Sequence, residues 1–167
     1  MKFQKHDSLK IRPAKETDVG LLADFIRGIA EYEKLLDQVV ADEAILRESF
    51  FGHRPSAEAL IAEWDGEPVA FAVFFENFST FMGRSGLYLE DLYVNPEYRC
   101  KGIGKALLSH LAGIALERGC PRFEWVALDW NRNAIDFYEK LGAKQLSEWR
   151  IFRLTGDKLA KLAGSGY

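Results

Sequence analysis

Three cations and two glycines lie close together in one short stretch of the chain, and such a group could bind a phosphate. Arg99, Lys101 and Lys105 supply positive charge. Gly102 and Gly104 let a phosphate approach the backbone. The stretch follows an apolar run and precedes apolar residues at helical spacing, and the first N–H groups of a helix attract anions. We therefore predict a pyrophosphate cradle at this glycine loop.

The loop does not match the two commonest nucleotide-binding motifs. A P-loop needs Gly-x-x-x-x-Gly-Lys followed by Ser or Thr, which the chain lacks. The dinucleotide fingerprint needs a third glycine where the chain has Leu107. Glycine loops before helices also occur without a ligand, so that alternative stays open on these residues alone.

The composition predicts one globular domain over residues 1–167. Apolar residues make up 48% and charged residues 28%, with a net charge of −3, which disfavours a nucleic-acid partner and permits a cationic substrate. Only Cys100 and Cys120 are present, which indicates a reducing compartment, so we expect a cytoplasmic protein. No apolar run approaches about 18 residues, and residues 2–7 contain no signal-peptide core, so we expect no membrane association.

Apolar periodicity and turn residues predict the order of the elements. Strands are predicted at residues 9–12, 59–64, 68–75, 87–94, 123–128, 145–146 and 149–154, with a hairpin turn at 65–67 and a polar connection at 77–86. Helices are predicted at residues 19–36, 42–51, 103–116, 131–141 and 157–163.

This order resembles the GNAT superfamily of N-acetyltransferases, and within it the diamine (spermidine/spermine) N-acetyltransferase family with its thialysine-acetylating branch. The similarity covers roughly residues 9–160 in collinear order. The matching strings are Ile11-Arg12-Pro13-Ala14, Tyr32-Glu33, Tyr88-Leu89-Glu90-Asp91, Tyr98-Arg99, Gly102-Ile103-Gly104, Trp130-Asn131, Asp136-Phe137-Tyr138, Gly142-Ala143 and Trp149-Arg150. The resemblance implies an α/β fold with a mixed, mostly antiparallel sheet of about seven strands, helices on both faces and two splayed central strands.

The resemblance further implies acetyl-CoA as the acetyl donor. The implied cofactor-binding residues are Leu92, Tyr93, Val94, Arg99, Cys100, Lys101, Gly102, Ile103, Gly104, Lys105 and Asn131. The leaving thiolate needs a proton, and Tyr138 matches the tyrosine that similar enzymes present to the sulfur. We predict Tyr138 as the general acid, with packing on the helix face as the alternative. No metal is expected, because the histidines and cysteines lack ligand-like spacing.

The acceptor side is also assigned by resemblance. Glu90 is the candidate for amine recognition and proton removal, while Asp91 is expected to be structural, because adjacent strand residues point to opposite faces. The alternative for both is a buried ion pair with an arginine. Further substrate-binding candidates are Tyr32, Glu33, Glu124, Trp125, Val126 and Glu148. Tyr32 and Glu33 could equally be a solvated helix end.

The implied reaction is direct acetyl transfer in a ternary complex to a small polyamine, diamine or lysine-like amine. Ser79-Thr80 stand where similar polyamine acetylators tend to carry an aspartate, so a shorter amine is left open. A protein or peptide N-acetyltransferase and a non-catalytic acyl-CoA sensor are the other classes. Similar enzymes pair through their C-terminal strands, so a homodimer is expected, with residues 149–152 at the interface or in the core.

Overall fold

A computed structural model describes residues 8–165, so the predicted lack of a signal core at residues 2–7 lies outside the described chain. The chain divides into a first unit that ends at Val126 and a second that begins at Ala127. A single domain over the whole chain stays a prediction. Within residues 8–165, none of the helices has the length and apolar character that crossing a membrane requires.

The first unit is built on a five-stranded sheet whose strands lie side by side in chain order. They are β1 (Leu9–Pro13), β2 (Glu58–Trp64), β3 (Glu67–Ser79), β4 (Arg84–Val94) and β5 (Phe123–Trp125). The first four pair antiparallel, and β5 joins β4 in parallel. The mixed, mostly antiparallel sheet of an α/β fold is therefore confirmed.

Turn chemistry sets the β2–β3 hairpin, and strand pairing extends the next one. Asp65 and Gly66 have φ values of 52° and 85°, as a two-residue hairpin turn requires, so this hairpin is confirmed. The predicted connection over 77–86 is wrong in extent, because Asn77 and Gly86 pair across the β3–β4 ladder. The ladder hydrogen bonds hold this polar segment in the sheet whatever its composition suggests.

Helices cover both faces of this sheet, as predicted. They are α1 (Val19–Tyr32), α2 (Glu43–Phe51) and α3 (Ile103–Glu117). On one face, Phe25 of α1 stacks on Phe71 of β3 with ring centroids 5.2 Å apart. Phe74 lies three residues further along β3 and so on the other face, where its ring is 5.7 Å from the guanidinium of Arg118 at the end of α3.

The end of α1 is fixed by a local backbone motif rather than by apolar periodicity. Lys34 adopts the left-handed conformation with φ of 62°. The Lys34 N–H donates to Glu31 O at 3.1 Å and the Leu35 N–H donates to Ala30 O at 2.8 Å. This pair of bonds closes a helix end, so α1 ends at Tyr32 rather than at the predicted residue 36.

The second unit contains two short helices, α4 (Arg132–Lys140) and α5 (Gly156–Gly164). Both were predicted at these positions, within about two residues at each end. Asn131 begins α4 as its N-cap, since its side-chain oxygen accepts from the Ala134 N–H at 3.3 Å. Gly142 follows α4 with φ of 94°, a conformation that favours glycine.

The two strands predicted after α4, over 145–146 and 149–154, are wrong. The described chain has no strand there, and the strand predicted over 123–128 ends at Trp125. A strand needs a neighbour for its N–H and C=O groups, and none of the described strands pairs with this segment. The sheet therefore has five strands instead of seven, and Phe152 is 93% exposed.

Candidate active site

The glycine loop leads from β4 into α3, as predicted. The short 3₁₀ turn Pro96–Tyr98 follows the strand, and Cys100 then takes a φ of 61°, which costs energy for any residue other than glycine. Gly102 has φ of 82° and is the N-cap of α3. A Cβ placed on Gly102 would meet no atom within 4 Å, so the approach to the helix N-terminus is open.

The amides at the start of α3 are available to an anion. The first N–H that bonds within the helix is that of Ala106, which donates to Gly102 O at 3.0 Å. The N–H groups of Ile103, Gly104 and Lys105 precede that bond and so point out of the helix end. The open approach and these amides together fit the diphosphate of a coenzyme.

Two loop cations rest on aromatic rings. The Lys101 ammonium lies 4.7 Å from the Tyr98 ring and 5.4 Å from the Trp64 ring. The Arg99 guanidinium lies over rings at the ends of α1 and β4, and its Nε donates to Val94 O at 3.0 Å. These contacts hold both side chains beside the loop.

The edge of β4 next to the loop is open on one side. Pairing between β4 and β5 ends with Leu89 opposite Trp125. Beyond that point, Leu92, Tyr93 and Val94 have a strand neighbour only on the β3 side among residues 8–165. Such an edge presents N–H and C=O groups that can pair with an extended ligand, which suits the prediction of Leu92, Tyr93 and Val94 as cofactor-binding residues.

A β-bulge in β4 changes how the acidic pair is presented. Leu89 pairs with Phe74, and Asp91 pairs with Val73, so Glu90 is the extra residue. Phe74 and Val73 lie on opposite faces, so their partners do too. In a regular strand, residues 89 and 91 would share a face. Strict alternation therefore fails between Leu89 and Asp91, and the separate roles of Glu90 and Asp91 stay a prediction.

Asp91 is the most perturbed carboxyl group of the site. Val73, its cross-strand neighbour, belongs to the core cluster under α1, so Asp91 lies on that face. Burial, followed by the charges of Glu90 and Glu33, raises the pKa of Asp91 to about 6. Burial also raises the pKa of Glu33, which follows the last residue of α1. A cation bound beside Asp91 would stabilise its ionised form.

The alternative of a buried ion pair does not hold for the acidic pair. Among residues 8–165, neither Glu90 nor Asp91 lies within 4.0 Å of an arginine or lysine nitrogen. The sequence predicts a structural role for Asp91. It also contains a sign of the raised pKa of Asp91, because this carboxyl group lies between the apolar residues Leu89 and Leu92. The bulge itself had no such signal.

The β5 candidates lie at the end of the first unit. The Glu124 carboxylate is 3.0 Å from Arg122 Nε in an ionic contact without hydrogen-bond alignment, and it accepts from Asn77 Nδ2 at 3.4 Å. Trp125 ends the strand, and Val126 after it is 53% exposed. Glu124 therefore already has a cationic neighbour, unlike the acidic pair of β4.

The other predicted residues belong to the second unit. Tyr138 lies on α4, half-buried, with its ring centroid 5.4 Å from that of Phe137. Asn131 caps the same helix, and Glu148 is exposed in the segment without regular structure. The first unit thus brings together the glycine loop, the β4 edge and the end of α1, and the second carries Tyr138, Asn131 and Glu148.

The chain thus has a mixed sheet whose fourth strand runs through a glycine loop into a helix, with an open strand edge beside that loop. The sequence profile described as "Acetyltransferase (GNAT) family" matches residues 26–143. The chain belongs to the GNAT family, and it is an N-acetyltransferase.

Similar proteins agree with this assignment. The chain is 44% identical to the thialysine N-epsilon-acetyltransferase of Sus scrofa, over 94% of this chain and 98% of that one. It is 32% identical to the L-ornithine N5-acetyltransferase NATA1 of Arabidopsis thaliana, over 90% of this chain and 86% of that one. The solved integron cassette protein VCH_CASS6 of V. cholerae superposes with a TM-score of 0.79 at 29% identity, over 95% of this chain and 99% of that one.

Proposed function

We propose that this enzyme transfers acetyl from acetyl-CoA to the primary amine of a small polyamine, diamine or lysine-like substrate, directly in a ternary complex. The observation that carries the proposal is the buried Asp91 at β4, whose pKa is raised by burial and then by the charges of Glu90 and Glu33, beside the open edge of that strand. A cationic amine offsets the repulsion from those charges. The names of two relatives place acetyl on a side-chain nitrogen of an amino acid, which supports a lysine-like acceptor.

The residues present fit acetyl-CoA, which supplies the acetyl group as a thioester when bound. The amides of 103–105 and the cations Arg99, Lys101 and Lys105 would hold the diphosphate, and Cys100 would contribute its backbone. The edge of 92–94 would pair with the pantetheine arm, and Asn131 would hydrogen-bond the same cofactor. No group of three or more histidine, cysteine or acidic residues capable of holding a metal occurs among residues 8–165.

We assign the proton transfers to two groups. Glu90 takes the proton from the bound ammonium, because only the neutral amine can attack a thioester. Tyr138 Oη gives a proton to the departing sulfur as the C–S bond breaks, because a thiol leaves more easily than a thiolate, and the phenolate regains the proton that the nitrogen loses on forming the amide. The acceptor would contact Tyr32, Glu33, Trp125 and Val126 and, more weakly, Glu124 and Glu148.

The acceptor is short in this proposal. Ser79 ends β3, where its Oγ accepts from the Met82 N–H at 3.3 Å and so closes the hairpin turn. The Ser79 hydroxyl therefore does not replace the aspartate of similar polyamine acetylators, whose carboxylate would bind the far end of a long polycation. Each exposed ion pair adds only about 0–1 kcal/mol, so selectivity for length would be modest.

An amine panel tests the proposal. With acetyl-CoA as donor and thiol release as readout, we expect turnover on short diamines, lysine, ornithine and thialysine. We expect less on spermidine and spermine, and less still on lysine-containing peptides. Activity on peptides alone would replace this proposal with a protein N-acetyltransferase, and thiol release with none of the amines or peptides would overturn the proposed acceptor class.

We also propose that the chain is one cytoplasmic domain that forms a homodimer. The family match spans residues 26–143 and therefore includes parts of both units. Cys100 and Cys120 are free thiols, as in reducing compartments. Trp149, Ile151 and Phe152 are at least 71% exposed, and a partner copy could cover them. Sedimentation should therefore give a dimer, and a monomer at micromolar concentration would contradict this part of the proposal.

A further inference from the structure

Arg99, the first residue of the glycine loop, contacts two tyrosine rings. Its guanidinium carbon lies 4.9 Å from the ring centroid of Tyr32 and 5.7 Å from that of Tyr93. Its Nε donates to Val94 O at 3.0 Å. One side chain therefore ties the loop to the last residue of α1 and to the end of β4. Distances within about 6 Å are those of effective cation–π contacts.

Tyr93 in turn packs against α1. Its ring packs on Phe25 with centroids 6.2 Å apart. A Cβ on Gly28 of α1 would lie 2.7 to 2.9 Å from three atoms of the Tyr93 ring, closer than real Cβ contacts allow. The ring can occupy this place only because residue 28 has no side chain. Those atoms are at the far end of the tyrosine, so a larger residue would displace the ring rather than the helix.

We propose that Tyr32, Tyr93 and Gly28 form a seat for Arg99 that positions the glycine loop for the coenzyme's diphosphate. The proposal rests on the proposed function of this loop. Arg99 begins the loop, and fixing it before the coenzyme arrives reduces the ordering that binding must supply. Tyr32 and Tyr93 are positioning residues in this account: they act on the cofactor through Arg99.

The seat gives Tyr32 a second role. Tyr32 directly precedes Glu33, whose charge acts on Asp91, so it belongs to the acceptor side of the site. A tyrosine that only contacts the acceptor amine would have no effect on acetyl-CoA binding in the absence of amine. A tyrosine that supports Arg99 would affect it under that same condition, which separates the two roles.

The test is calorimetric titration of acetyl-CoA into the full chain without amine. Tyr32→Leu removes one of the two rings that Arg99 contacts, and it should weaken acetyl-CoA binding about two- to fivefold. Tyr32→Phe keeps the ring face and should bind acetyl-CoA as the wild type does. Equal affinity for all three proteins, or equal weakening in both variants, would overturn the seat.

A glycine pair provides the second measurement. Gly28→Ala should displace the Tyr93 ring and weaken acetyl-CoA binding by a similar factor. Gly113→Ala is the matched control, because Gly113 also lies within a helix and a Cβ there would meet nothing within 4 Å. Both alanines favour the helix, so both proteins should stay folded in thermal melts.

The outcomes distinguish a failure of the Arg99 seat from a failure of the proposed function. Unchanged acetyl-CoA affinity in Gly28→Ala, or the same weakening in Gly113→Ala, would overturn the role of Gly28 in the seat. If the wild type binds acetyl-CoA and Tyr32→Leu binds it equally well, the seat is wrong and the proposed function stands. If the folded wild type does not bind acetyl-CoA, the proposed function fails and the seat fails with it.

Discussion

Replacing Tyr138 with phenylalanine should lower kcat by about 10²- to 10⁴-fold, the usual contribution of a general acid. The substitution removes only the hydroxyl, so the ring keeps its packing against Phe137 at 5.4 Å. Acetyl-CoA affinity should therefore remain near the wild-type value. Steady-state thiol release, together with an acetyl-CoA titration, measures both quantities.

The control for this prediction is Phe137→Leu, which disturbs the neighbouring ring and leaves the phenol. A modest change in kcat is expected there. If Tyr138 serves only to pack the helix face, Tyr138→Phe will turn over normally at every pH, and Tyr138 then has no part in the reaction.

Replacing Glu90 with glutamine should lower kcat/KM by at least about 10²-fold, because the ammonium loses its proton acceptor. It should also shift the pH profile. The charge of Glu90 helps to raise the pKa of Asp91 to about 6, and its removal lowers that pKa. Asp91 then keeps its negative charge to lower pH. The acid limb of kcat/KM should accordingly move toward lower pH.

Glu67→Gln is the matched control, since Glu67 is an exposed acid at the start of β3. It should keep both the wild-type rate and the wild-type acid limb. A Glu90→Gln enzyme with wild-type kcat/KM would exclude Glu90 as the proton acceptor. A lower rate with an unmoved acid limb would show that Asp91 does not titrate in the active enzyme.

The parts of the fold that depend on neighbouring residues could be predicted from the sequence. The glycine loop before α3 and the hairpin at Asp65 and Gly66 each depend on the chemistry of a few adjacent positions. The α1 end is a partial exception, because Lys34 takes a left-handed conformation that its residue type does not favour.

The rest depends on distant residues and could not be predicted in this way. The bulge at Glu90 exists only in the register between β3 and β4, so a single-strand pattern could not show that Leu89 and Asp91 lie on opposite faces. The contact between Gly28 and Tyr93 joins residues 65 positions apart. Apolar alternation after α4 suggested strands, but strands require a neighbour that the described sheet does not provide.

The central claim is that the amides and cations of residues 99–105 bind the diphosphate of acetyl-CoA in an amine acetyltransferase. Calorimetric titration of the wild-type protein with acetyl-CoA tests it most directly, with CoA and pantetheine as competitors. The account predicts saturable binding that CoA displaces and that pantetheine, which lacks the diphosphate, displaces far less well. No binding of acetyl-CoA by the folded protein, or equal competition by pantetheine, would contradict it.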